Sequence, residues 1–131
     1  FFFFKKKKNQ NKIKVPEPVQ NLTLTIKTSN SIGLQWQPGA QTLFYKISLS
    51  TDAINFFVVA NGEGDNWPET NYIVEQLNYF TTYYLKVQAG NQAGYENQGA
   101  VIKVQTFLQS LFHYFFSFFF FLKNALDSNF I

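Results

Sequence analysis

The sequence predicts an all-β protein, an antiparallel sandwich of two sheets, on three observations. Apolar and polar residues alternate at period two through the middle of the chain. The alternating runs are short and recur about every ten residues, with clusters of Gly, Pro, Asn, Asp and Ser between them. No helical period appears between Val15 and Thr106, which argues against an α/β architecture.

Seven strands are expected. The first is NLTLTIKT, with Leu22, Leu24 and Ile26 on the inner face and Thr23, Thr25 and Lys27 on the outer. SIGLQWQPG repeats the device with Ile32, Leu34 and Trp36 inward, closed by Pro38-Gly39. TLFYKISLS alternates Leu43, Tyr45, Ile47 and Leu49, and INFFVVA reads as a shorter apolar strand ending at Asn61-Gly62. After the turn-rich NGEGDNWPET, the segment NYIVEQL puts Tyr72 and Val74 on one face and is capped by Leu77. In NYFTTYYLKVQAGNQAG the residues Thr81, Tyr83, Leu85, Val87 and Ala89 recur at every second position, with Tyr84, Lys86 and Gln88 facing the other way. AVIKVQT is the last strand, bringing in Val101 or Ile102.

The two ends differ from this middle. Of 17 Phe, four open the chain, nine follow Thr106 and only Phe44, Phe56, Phe57 and Phe80 lie between. Charge divides at the same places: six Lys precede Val15, whereas four Lys face seven acids from Val15 to Thr106. A basic tail on an acidic body is unlike a basic domain, so the overall charge of +3 gives the sandwich no expected nucleic-acid partner. The expected organisation is a Phe/Lys-rich tail at 1–14, a domain at 15–106 and a Phe-rich tail at 107–131. FFFFKKKK reads like a run of T followed by a run of A in codons, which favours low-complexity or untranslated sequence at the ends. The chain lacks an initiator Met and is expected to be a piece of a longer protein.

From Pro16 to Thr106 the chain resembles a fibronectin type III domain. PEPVQNLTL at the start, SIGLQWQP with Trp36 and YKISLS carry the likeness. So do Leu77, Thr81, Tyr83, Val87, Ala89, Asn91 and Gly94, which follow the family's spacing, and the closing VQT. The resemblance implies a seven-stranded immunoglobulin-like sandwich whose core comprises Trp36, Tyr45, Tyr72, Leu77, Tyr83, Leu85 and Val87. It also implies a tyrosine corner at Tyr83, its ring at the sandwich edge and its hydroxyl bonded back to nearby backbone. With no cysteine, aromatic volume must replace the disulfide of an immunoglobulin core.

Catalytic chemistry is not expected, and neither a cofactor nor a metal. The single histidine, His113, has no carboxylate or nucleophile beside it in sequence. Glu63, Asp65 and Glu69 share a Gly-rich loop but lack the ligand spacing of a calcium motif. GEG is not a phosphate loop, since no Lys-Ser/Thr follows it.

Binding through loops or a sheet edge is the expected work, with an unidentified protein as partner. The loop NQAGYENQG offers Tyr95 but no Arg-Gly-Asp, so the family's integrin-type attachment is not implied. Trp67 is a second candidate loop contact, and Asn21-Leu22-Thr23 is an N-glycosylation sequon. The segment 107–122 has the hydrophobicity of a membrane anchor, though as a helix it reaches only about 24 Å against a core of about 30 Å. The expected role is an interaction or spacer module of a larger adhesion or surface protein, membrane-tethered or extracellular. Its alternative is an accessory domain of an enzyme, for example a carbohydrate-active one.

Overall fold

The computed structural model describes residues 12–59, 65–109 and 111–128, with the backbone alone described for 111–113. Eight strands precede one helix: β1 Gln20–Lys27, β2 Ile32–Gln37, β3 Phe44–Ser50, β4 Phe57–Val58, β5 Asn71–Val74, β6 Thr82–Asn91, β7 Gly94–Tyr95, β8 Ala100–Gln105 and α1 Leu111–Asp127. They form two antiparallel sheets. One is three-stranded in the order β1-β2-β5; the other runs β4-β3-β6, with both β7 and β8 pairing the far side of β6.

The alternation in β2 and β6 translates directly into burial. Ile32, Leu34 and Trp36 face inward from β2, while Tyr83, Leu85, Val87 and Ala89 face them from β6. Tyr45 and Ile47 from β3, Tyr72 and Val74 from β5, Val104 from β8, and Val19, Val59 and Leu77 complete the core. At roughly 25 cal/mol per Å² of apolar surface removed from water, this inner layer is the main force holding the sheets together. Trp36 and Tyr45 meet edge-on across the layer, with ring centroids 5.2 Å apart.

Three local expectations are corrected. In β1 only Leu22 packs on the core, while Leu24 and Ile26 are exposed. Register shifts between Gln20 and Thr23 and between Leu24 and Ile26 break the two-residue period, and Asn21 takes a positive φ of 51°. Leu43 lies before β3 and is exposed, its N–H bonded to the Gly90 carbonyl. The INFFVVA strand shrinks to Phe57–Val58, because Asp52 accepts hydrogen bonds from the N–H groups of Ile54 and Asn55 and holds 51–54 in a bend. Among the described residues all seven expected strands are present, and one two-residue strand joins them. The extra pair, β7, arises where Asn91 Oδ1 accepts the Ala93 N–H and turns the chain back onto β6. In β8 it is Ile102, not Val101, that packs inward.

The chain enters and leaves the sandwich at opposite poles. At the N-terminal pole, the Asn91 amide donates to the Lys14 and Gln41 carbonyls, and the Glu17 N–H bonds to the Ala40 carbonyl. Gly39 is required there, since a Cβ would overlap the backbone of Glu17 and Pro18. At the C-terminal pole, Phe107 donates to the Thr28 carbonyl and accepts from the Phe80 N–H. The helix beyond it carries neither acidic residues in its first turn nor basic ones in its last, and its described side chains, Tyr114 to Asp127, are all exposed.

Candidate functional site

Tyr83 anchors the C-terminal pole. Its hydroxyl accepts the Asn78 N–H at 3.0 Å, five residues back, while the ring is buried beside β8. Thr106 completes the arrangement: its hydroxyl donates to the Asn78 carbonyl at 2.7 Å and accepts the Thr81 N–H at 3.0 Å. Two side chains therefore satisfy the backbone of one turn. The other residues expected in the core sit there too, with Trp36, Tyr45, Tyr72, Leu77, Leu85 and Val87 all buried. Burial pushes the Tyr45 phenol above its ordinary range, opposed by the neighbouring Trp36 indole. Among the described residues no acceptor stands in hydrogen-bonding geometry to the buried indole N–H of Trp36.

Trp67 joins the two sheets. Its backbone exchanges two hydrogen bonds of 2.8 Å with Tyr45 of one sheet. Its indole N–H donates to the Asn71 carbonyl at 2.8 Å in the other, and its ring stands edge-on to Tyr72 at 5.0 Å. Partly buried in this way, it closes the sandwich edge and does not project as a free ring.

Tyr95 is also engaged within the molecule. Its hydroxyl donates to Asp65 and accepts the Asn66 N–H at 3.0 Å, tying β7 to a segment thirty residues earlier. Burial, and then the hydrogen bond from its hydroxyl to the Asp65 carboxylate, push the phenol up to about 12. The ring meets Phe44 edge-on at 5.5 Å, and the Lys46 ammonium lies 4.2 Å from its centroid. A Cβ at Gly90 would overlap both rings, so glycine is the residue that admits them. Glu96, next in sequence, turns its carboxylate inward onto the N–H groups of Gln98 and Gly99.

The same outer face of the larger sheet carries two more lysines over rings, which the sequence did not single out. Lys86 lies 3.9 Å from the Phe56 centroid and Lys103 5.7 Å from that of Tyr84. The only sequence signal was their outward phase in β6 and β8. A groove of about 620 Å³ opens between β4 and β5, lined by Leu49, Phe57, Tyr72, Val74 and Leu77 among others. Among the described residues no three His, Cys, Asp or Glu side chains are grouped to hold a metal. Glu63 and the side chain of His113 lie outside the described residues. Asn21 is exposed at the first β1 bulge, its amide donating to Gln37 Oε1 at 2.7 Å. Asp52, at the end of β3, is held well below the usual carboxylate range by N–H donors from Asn55 and Ile54 and by the Ser50 hydroxyl.

Comparison with known proteins finds one family, the fibronectin type III domain, matching residues 17–105. Among solved structures the chain is similar to FN3tt, with 21% identity and a TM-score of 0.62 over 72% of this chain and 98% of that one. It is similar to the fibronectin type-III domain of human fibronectin type III domain containing protein 3, at 22% identity and a TM-score of 0.59, covering 77% and 94%. Domains A168–A170 of titin give 21% identity and a TM-score of 0.61, covering 72% of this chain and 33% of theirs. No curated protein matches.

Proposed function

The chain belongs to the fibronectin type III family, and from that premise we propose that residues 15–106 work as a non-catalytic interaction or spacer module of a larger multidomain protein, with 1–14 and 107–131 outside it. The supporting observation is the placement of its ends. The chain arrives beside Ala40, Gln41 and Asn91 and departs beside Thr28 and Phe80. The eight residues of β1 separate the two poles, about 26 Å at the strand rise of ~3.3 Å per residue. A domain fed at one pole and drained at the other stands in line with its neighbours. An accessory domain beside a catalytic one would use the same geometry.

The test is a pole-to-pole distance. The chain has no cysteine, so spin labels at Lys14→Cys and Leu108→Cys report one pair. A single narrow distribution on the order of 30 Å is expected from the strand length. A broad one, or one under about 15 Å, would end the spacer reading.

A second reading concerns 107–122 as a membrane contact. It is favoured by the exposure of every described side chain of α1, six phenylalanines between Phe115 and Phe121 among them, an unusual state for so much apolar surface. Among the described residues no helix is long and apolar enough to cross a membrane. Sedimentation with lipid vesicles tests it, and removal of 107–131 is expected to abolish the effect.

A further inference from the structure

The outer face of the larger sheet reverses the charge of the domain that carries it. From Val15 to Thr106 acids outnumber lysines seven to four, yet three of those four lysines, Lys46, Lys86 and Lys103, lie on this one face. Among the described residues the acids bordering it are occupied: Asp65 by the Tyr95 hydroxyl, Glu96 by the N–H groups of Gln98 and Gly99, and Asp52 by the Ser50 hydroxyl and the N–H groups of Ile54 and Asn55.

Register fixes how the lysines are arranged. Directly opposed residues of antiparallel strands point to the same face. Lys46 of β3 pairs with Gln88 of β6; one step on, Ser48 pairs with Lys86 and Lys86 with Val101; a further step on, Ser50 pairs with Tyr84 and Tyr84 with Lys103. Each lysine therefore sits one strand over and two residues along from the last. With strands ~4.8 Å apart and ~3.3 Å per residue, successive positions are about 8 Å apart and the whole line is about 16 Å long. Each ammonium lies near an aromatic ring, at 4.2, 3.9 and 5.7 Å from the centroids of Tyr95, Phe56 and Tyr84. These contacts restrict the long side chains, which lowers the entropy lost when a partner fixes them.

We infer that this diagonal of lysines over rings is a docking line for an extended acidic segment of a partner polypeptide, with carboxylates at about every second or third residue. The inference rests on the interaction-module reading and names the chemistry of the partner. An extended chain at ~3.3 Å per residue crosses the line in about five residues, and its carboxylates meet the ammonium groups while its backbone lies over the rings. Charge complementarity selects the occupant, since a neutral or basic segment gains nothing from three aligned cations.

The experiment is a titration of the whole ¹⁵N-labelled chain with a synthetic decapeptide of alternating Glu and Ser, followed by NMR. Saturable amide shifts are expected around residues 46, 86 and 103, weakening steeply with salt. Lys86→Glu is expected to weaken binding by about tenfold or more, and Lys103→Gln, at an exposed site, by less. Melting of both variants establishes that they fold. Absence of saturable shifts, equal binding of a Gln-for-Glu peptide, or unchanged affinity in both folded variants would overturn the inference. So would tighter occupation of the same residues by a sulfated hexasaccharide or by phosphatidylserine vesicles. A chain that keeps its pole-to-pole distance but ignores the peptide loses this inference alone and keeps the module reading.

Discussion

Two populations of aromatic side chains share this molecule and have opposite fates. In the sandwich, Trp36 meets Tyr45, Trp67 meets Tyr72, and the hydroxyls of Tyr83 and Tyr95 reach backbone N–H groups. In α1, six phenylalanines from Phe115 to Phe121 are 61–73% exposed, and the ring pair recorded among them is Phe115 with Phe119. Aromatic area alone does not make a core. The strands present rings at alternate positions, so one face collects them, and Tyr and Trp add a polar group that fixes their orientation. Phenylalanine fills six of the seven positions from Phe115 to Phe121, so the rings point to every side of that part of the helix, and Phe has no polar group to aim.

The largest break in this contrast is Trp36→Ala, expected to cost about 3 to 5 kcal/mol, enough to abolish cooperative thermal unfolding in a domain of this size. Survival of a sharp transition would mean the ring is not a core element. Gly90→Ala comes next, at about 1 to 3 kcal/mol, because the added methyl forces apart Phe44 and Tyr95. Its urea midpoint should recover in part when Phe44 is shortened to Leu. Tyr83→Phe keeps the ring but leaves the Asn78 N–H without its acceptor, at about 1 to 2 kcal/mol by chemical denaturation. An unchanged midpoint would dismiss the hydroxyl as a support.

A subtler effect is on pH. The folded phenol of Tyr95 titrates near 12 against an ordinary 10.0, so the unfolded chain loses that proton first. The contribution is complete below pH 10, declines as pH rises and is gone above about 12. Denaturation midpoints should fall across that window, and less so in Tyr95→Phe. The smallest effect sharpens the comparison from the other side. Removing residues 111–131 should leave the melting temperature of the sandwich unchanged, despite discarding eight of the seventeen phenylalanines in the chain.

What could be read from the sequence follows the same division. The inner faces of β2 and β6 were legible because their alternation is unbroken and local. The inward phase of β1 was not, since a bulge costs one residue of register and leaves no compositional mark at Leu24 or Ile26. The short β4 depended on Asp52 capping a bend, which outweighs the β-propensity of Ile54 and Phe56. Tyr95 looked like a free loop ring because its partners Asp65 and Asn66 are distant in sequence. The lysine diagonal needed three strands in known register, information that no single segment carries.

The bulged first strand has a mechanical consequence. A pull applied through both chain ends would load β1 against β2, and β8 against β6, in shear, where many rungs of a ladder must yield together. The two irregularities in β1 divide its ladder into short runs, and β1 is an edge strand with β2 as its hydrogen-bonded neighbour. Under tension this strand should peel away before the ladders of β6, making it the first element to lengthen while the rest of the sandwich stays shut.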